Sequence, residues 1–278
     1  MPSVGNEIAI ALRNNQPSPS DIYVGFSRNM AVLMKFDMFQ KGDFKAYLPE
    51  RMTDQIVERD TYVKIYSSTV GFTYNKAMAP SVPERLTDLL KPEWKGKVGT
   101  TPFAAGFDML AAKEALGPEK AIDFAKEFSK QVAGFMLCNE SDRVASGEFV
   151  AFATDCGGSR MLQAALKGAP LVRVLAPEVP VIAYFYLAVP KNAPNPNAAK
   201  LFITYALSEK GQRDTYDTSL SDVDLLPNAE TAKDIHAAEQ KYGIHYQVTD
   251  ITWQEVANND GNAAQQQIEK ILQEGRRR

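Results

Sequence analysis

Few residues here are of the kinds that mark metal, redox or nucleic-acid proteins. The 278-residue chain holds two cysteines, two histidines and two tryptophans. Cys138 and Cys156 are too few for a disulfide-rich scaffold or a zinc site of three or four ligands. With 31 Lys+Arg against 34 Asp+Glu there is no excess of either charge, and the only basic run is Arg276 to Arg278, which argues against a nucleic-acid partner. Apolar runs such as "VPVIAYFYLAV" (Val179 to Val189) fall short of the ~20 residues that cross a bilayer. The start, "MPSVGNEIAIALRNN", lacks the basic and apolar regions of a signal peptide. Repeats and low-complexity linkers are missing too.

What is present is an apolar content of 45%, enough for a packed core in one large or two ordinary domains. Val4 to Arg13 reads as a short helix stopped by "QPSPSD", "DIYVGF" as a strand ending at Ser27 and Arg28, and Met30 to Phe39 as a helix. "YVKIYSSTVGFTYNK" (Tyr62 to Lys76), rich in β-branched and aromatic residues, reads as one or two strands. From Pro80 the texture changes. A short helix between prolines, the strand "VGTTPF", helices over Phe107 to Leu116 and Glu119 to Lys130, and the strand "VAGFML" follow one another. A helix capped by Ser141, the strand "FVAFAT", the helix Met161 to Lys167 and the strands "PLVRVLAP" and "VIAYFYLAV" complete the region. This alternation predicts an α/β fold with a largely parallel sheet. Pro196 to Gln212 reads as one helix buried along Ala199, Leu201, Phe202, Ala206 and Leu207, and "NAAQQQIEKILQEG" as an amphipathic closing helix. Trp94 and Trp253 read as packing residues.

Several stretches, taken in order, resemble the periplasmic solute-binding proteins of ABC transporters, in the branch that includes ferric-iron-binding proteins. They are "GFTYNK" (Gly71 to Lys76), "LLKPEWKGKVG" (Leu89 to Gly99), "VASGE" (Val144 to Glu148) and "VPKNAPNPNAAKLFITYALSEKGQ" (Val189 to Gln212). The resemblance spans roughly residues 4 to 272. It implies a two-lobed α/β fold of the type II periplasmic-binding class, with the ligand in a cleft between lobes. Residues 1–72 and 188–278 would form the first lobe and 73–187 the second, hinged near Gly71 to Asn75 and Tyr184 to Leu187. Compared with the family's usual pattern the sequence looks N-terminally short, lacking a strand, a helix and a second strand. The resemblance also implies a periplasmic or extracellular location, a small-molecule solute, permease subunits as partners, a monomer, no cofactor and no catalysis.

In ferric-binding relatives a pair of adjacent tyrosines follows this "GE", and the matching positions here are Gly157 and Gly158. Glycine offers no oxygen to a hard cation, so the familiar iron site is missing. In such lobes ligand groups come from strand C-terminal ends and the helix starts that follow. Such places supply Ser27, Arg28, Thr100, Thr101, Ala105, Gly106, Asp155, Cys156, Gly157 and Gly158 as candidate ligand-binding residues, to which are added Thr69 and Tyr184, an aromatic on the returning strand that could stack on a ligand although packing is its more frequent fate. Free amides beside hydroxyls at a helix start favour a carboxylate, phosphate or sulfonate, and Arg28 or Arg160 could add a fork of donors. Taken singly, the same residues only cap helices or permit tight turns. Asp155 reads equally as an acceptor for a ligand ammonium or hydroxyl and as a helix cap.

Cys138 and Cys156 end strands that flank one crossover helix and should be neighbours in the sheet. A disulfide, a thiol pair at the cleft and two inert buried thiols, the ordinary fate of such residues, all stay open. Two competitors to solute capture remain. One is an enzyme with Cys156 as nucleophile, for which neither histidine supplies a base. The other is ferric iron held without a tyrosine pair, through Asp155, Tyr184 and a captured anion.

Overall fold

The computed structural model describes residues 4–249 and 251–275, with the side chains of 252–262 excepted. Trp253 thus lies outside the described side chains, and Arg276 to Arg278 outside the described residues. In chain order the elements are α1 (Val4–Arg13), β1 (Tyr23–Phe26), α2 (Ser27–Leu33), β2 (Val57–Glu58), β3 (Tyr62–Thr69), β4 (Gly71–Asn75) and β5 (Val98–Thr100). Then come α3 (Phe107–Leu110), α4 (Pro118–Phe128), β6 (Val132–Phe135), α5 (Ser141–Ala145), β7 (Ala151–Phe152), α6 (Ser159–Leu166), β8 (Leu171–Leu175) and β9 (Val181–Ala188). The last are α7 (Pro196–Leu207), α8 (Glu209–Ser219), α9 (Glu230–Tyr242), β10 (Gln247–Val248) and α10 (Ile251–Gly275). The chain divides into two compact units. The first comprises Met1–Ser68, Ala183–Asp234 and Thr249–Glu255; the second comprises Thr69–Ile182, Ile235–Val248 and Val256–Arg278.

In the first unit the strand order is β1-β9-β3-β2, with β1 antiparallel to β9 from Tyr23↔Ala188 to Phe26↔Phe185. Every residue of β9 except Phe185 is buried, as expected of a central strand with so apolar a sequence. One core joins Phe44, Val63, Ile65 and Leu187 to Ile203 and Leu207 of α7. The single helix expected over Pro196 to Gln212 is two. Ser208 takes an extended conformation, and its hydroxyl accepts a hydrogen bond from Gly211 N at 3.0 Å, capping α8. A Cβ at Gly211 would run into the Tyr205 carbonyl, so the turn between the helices closes only on glycine. The buried stripe of α7 is Ala199, Ile203, Ala206 and Leu207, whereas Leu201 and Phe202 are 71% and 50% exposed, contrary to the sequence expectation.

The second unit holds a sheet of order β6-β5-β7-β4-β8. Strand β5 runs parallel to β6 and β7, but β4 is antiparallel to both β7 and β8, so this sheet is mixed where alternation predicted a largely parallel one. The interleaving of β5 also corrects the expectation that Cys138 and Cys156 end neighbouring strands. In α4 the buried residues Ala121, Phe124, Ala125 and Phe128 follow helical spacing. Phe107 packs against Phe124 and Phe128 at ring separations of 6.3 and 6.0 Å, and each such buried ring stabilises the unit by roughly 2–3 kcal/mol. Trp94 is fully buried, as expected, within two 3₁₀ turns that replace the helix anticipated between prolines. Ser141 opens α5 as its first helical residue, and Glu140 occupies the cap position instead. The final helix buries Ala264, Ile268 and Leu272. Among the described residues no helix is long and apolar enough to cross a membrane.

Candidate functional site

Four of the six residues between β7 and α6 have positive φ. Thr154, Cys156, Gly157 and Gly158 have φ of 52°, 54°, 82° and 76°. For Thr154 and Cys156 that conformation costs on the order of 1–2 kcal/mol each, strain of the kind that collects at functional turns. A disulfide joins Cys156 to Cys138, with Cα atoms 5.7 Å apart. Of the three readings open from sequence it is the disulfide that holds, and not the inert thiols that are the ordinary fate: the loops beyond β6 and β7 bring the cysteines together although the strands are not adjacent. It also removes Cys156 as a thiolate nucleophile.

The Asp155 carboxylate is wholly buried and is held by Arg173 of β8, whose side chain is 11% exposed. Nε donates to Oδ2 at 2.9 Å and Nη2 to Oδ1 at 3.3 Å, while the Thr73 hydroxyl donates to Oδ2 at 2.9 Å. Nη2 also donates to the Thr69 carbonyl at 3.0 Å. Asp155 is therefore neither a helix cap nor a free acceptor for a ligand; it orients an arginine. A Cβ on Gly158 would collide with Nε and Cδ of that arginine, so this glycine is required by the close approach of Arg173 as well as by its positive φ.

Nearby expectations divide. The Thr100 hydroxyl is buried and makes no hydrogen bond among the described residues. That of Thr101 is used, accepting from Ala105 N at 2.8 Å, the turn-capping role it would have without any ligand. Gly106 opens α3 in a left-handed conformation against Thr154. Because α3 spans only Phe107–Leu110, it lacks the length for the dipole on which anion binding at Ala105 and Gly106 was expected to rest.

In the first unit, Ser27 is the first residue of α2 and Arg28, which is engaged by other groups of the fold, the second. Ser27 follows Phe26, the last residue of β1 in register with β9, where Phe26 pairs with Phe185, the neighbour of Tyr184. Both hydroxyls are buried without a hydrogen-bond partner among the described residues. Around Tyr184 lies a polar cluster that sequence reasoning did not single out. Lys64, 3% exposed, sits over the Tyr184 ring at 4.2 Å, donates to Gln55 O at 2.7 Å and pairs with Glu58 at 3.1 Å. Glu58 also accepts from the Tyr186 hydroxyl at 2.6 Å, and Asp224 accepts from Ser67 Oγ at 2.6 Å. Burial raises the Asp224 pKa, against the pull of Ser67, Tyr184 and Lys64. Burial, and then the negative charge of Asp224, raises that of Tyr184 well above the ordinary phenol. Phe185, on the opposite face of β9, stacks on Tyr66 with centroids 4.5 Å apart, as the alternation of the strand required.

Two α/β units, each with its own sheet, are the architecture of the two-lobed periplasmic-binding class. The sequence pattern of bacterial extracellular solute-binding proteins matches residues 6–264, and the chain belongs to that family. Its extracellular character agrees with the expected location. Solved structures share the fold at low identity. The substrate-binding protein of an ABC transporter from Agrobacterium tumefaciens is 15% identical, with a TM-score of 0.76 over 98% of this chain and 84% of that one. AfuA from Actinobacillus pleuropneumoniae, bound to fructose-6-phosphate, is 18% identical, with a TM-score of 0.70 over 98% and 88%. The apo ferric ion-binding protein A of Pasteurella haemolytica is 17% identical, with a TM-score of 0.70 over 97% and 87%. No curated protein matches the chain.

Proposed function

We propose that this chain is the non-catalytic receptor of an ABC import system, acting as a monomer that captures a small polar or anionic organic solute and hands it to permease subunits. The observation that carries the reading is the pair of buried, unpartnered hydroxyls of Ser27 and Tyr184 in the first unit, with the unpartnered Thr100 hydroxyl a separate instance in the second. Buried polar groups rarely remain unpaired, and a bound solute supplies what they lack. The ligand set proposed from sequence keeps these three as direct contacts, with Thr69 and Asp155 holding Arg173, and Gly157 and Gly158 shaping the turn. Membership in an extracellular solute-binding family and the likeness to ABC substrate-binding proteins support the same reading.

Ferric iron is the weaker reading. The positions that match the tyrosine pair of the ferric-binding relatives are glycines, and a guanidinium fills the space against Gly158. Among the described residues no three His, Cys, Asp or Glu side chains group to hold a metal.

The test is a thermal-shift screen with carboxylates, phosphonates, sulfonates, amino acids, polyamines and ferric citrate. A ligand at a hundredfold excess over its Kd adds about 2.7 kcal/mol to the stability of the folded state. A shift confined to one class of organic solute supports the receptor; a shift with ferric citrate alone refutes it in favour of iron.

A further inference from the structure

We propose that the second unit carries a docking groove for a short, extended, acidic segment of a partner protein, at the end of its sheet opposite Thr100 and Asp155. The inference goes beyond solute capture and is tested apart from it.

The groove is a cavity of about 750 Å³ lined by residues of the second unit alone. Lys95 and Gly96 precede β5, Lys130 precedes β6, and Val132 and Ala133 open β6. Because β5 and β6 run parallel, the cavity lies at the N-terminal ends of both strands. Thr100 ends β5 and Asp155 follows β7, and that C-terminal side is where an open α/β sheet holds its small ligands. The groove is therefore a feature separate from the solute contacts.

Its lining is basic and apolar. It holds the ammonium groups of Lys95, Lys126 and Lys130 but one carboxylate, Glu274, which Lys270 faces at 3.9 Å. Lys126 and Lys130 pair with Asp123 and Glu127 at 2.7 Å, yet their side chains are 54% and 61% exposed, and such surface pairs hold a lysine weakly. Gly275 also lines the cavity, and in sequence the chain's basic run, Arg276 to Arg278, follows it. Val132, Ala133 and Ile271 supply apolar surface.

The occupant follows from this chemistry. Every polar side chain of the lining is exposed or half-buried, so nothing fixes the orientation of a small metabolite as a built ligand site does. Flexible ammonium groups instead suit carboxylates spread along a chain. Strand β6 is the outermost of its sheet and carries no charged residue. Lysines on an edge strand keep other chains away, but these come from α4 and from the turns before β5 and β6, which leaves the edge itself open. A segment that alternates acidic and apolar residues pairs with this edge through its backbone, sets its carboxylates by the lysines and lays its apolar side chains on Val132, Ala133 and Ile271.

The test is fluorescence anisotropy of the full chain with two labelled decapeptides, one of alternating glutamate and valine and one of alternating lysine and valine. Two variants are compared with the wild type: Lys95→Ala/Lys126→Ala/Lys130→Ala, and Ala133→Glu, which sets a like charge on β6. All four side chains are exposed, so both variants should melt as the wild type does. The expected result is that the wild type binds the acidic decapeptide, and that each variant, and about 0.5 M salt, weakens binding about tenfold or more. Any solute that stabilises the wild type should stabilise both variants equally. No binding of the acidic decapeptide, equal binding by the variants, or equal binding of the basic decapeptide overturns the groove. Lysine-dependent binding of citrate or of phosphatidylglycerol vesicles without the decapeptide overturns it in favour of a small anion or a membrane surface. Loss of solute binding in the lysine variant overturns its separateness and leaves the receptor reading intact.

Discussion

Removing the disulfide should cost the second unit about 3 kcal/mol. Cys138 and Cys156 are separated by 18 residues, and closing a loop of that length in the unfolded chain accounts for about 3 kcal/mol in the chain-entropy treatment. Part of this is returned when the bridge is removed by the right substitution. Cys156 sits at φ 54°, where glycine is free of the ~1 kcal/mol or more that a side chain costs. Cys138→Ala/Cys156→Gly should therefore be about 1 kcal/mol more stable than Cys138→Ala/Cys156→Ala. Urea unfolding followed by far-UV circular dichroism, with and without dithiothreitol, measures both differences. The reduced wild type and the double-alanine variant should agree with each other. A loss below 0.5 kcal/mol on reduction, or a glycine variant no more stable than the alanine one, would refute the reasoning.

Gly158→Ala should destabilise the chain by about 3 kcal/mol or more, because the new methyl displaces Arg173 and leaves the Asp155 carboxylate buried without its ion-pair partner; a urea titration that finds less than 1 kcal/mol would mean the turn can move. Tyr184→Phe should cost no more than about 1 kcal/mol of stability, since its hydroxyl makes no close hydrogen bond and gives up only its pull on Asp224, yet should weaken binding of whichever solute shifts the wild type; equal affinity in calorimetry would remove Tyr184 from the site. Asp224→Asn tests the raised carboxyl of the first unit. Its folded pKa lies above the unfolded one, so the ionised group subtracts stability once pH passes the ordinary carboxylate range, and the variant should gain on the wild type at pH 7 but not below about pH 4. A loss at pH 7 in pH-dependent urea unfolding would mean that the hydrogen bond from Ser67 outweighs the burial.

The local signals in this sequence were those that need no distant partner. Helix α1 runs from Val4 to Arg13, where apolar spacing and the "QPSPSD" breaker put it. What failed depended on contacts across the chain. "AAKEALG" is built of good helix formers, yet α3 ends at Leu110, and the segment turns back so that Leu116 N reaches Leu110 O at 3.1 Å. Ser208 looks like a helix interior until its extended backbone makes it a cap. Strand direction was invisible as well. Nothing in "GFTYN" says that β4 enters between β7 and β8 antiparallel to both, and the order of strands decides whether two cysteines meet.

The site was legible in the same uneven way. Ser27 and Thr100 stand at strand ends, and that position was enough to name them, whereas Tyr184, in the middle of β9, was named as an aromatic on the returning strand. Arg173 and Lys64 were missed because a single charge in a strand reads as a residue facing water. The available signal was the company they keep: "PLVRVLAP" and "YVKIYSS" surround each charge with β-branched and apolar residues that a solvent face would not hold. A charge in such a strand has to be paired, and each is, with Asp155 and Glu58 respectively. The glycine at 158 then acquires a cause. Gly158 clears the space an arginine needs beside the turn. The opposite substitution follows the same logic. Tyrosines restored at 157 and 158 would have to expel Arg173 before they could coordinate anything, so iron binding should appear only in a background that also removes Arg173 and neutralises Asp155.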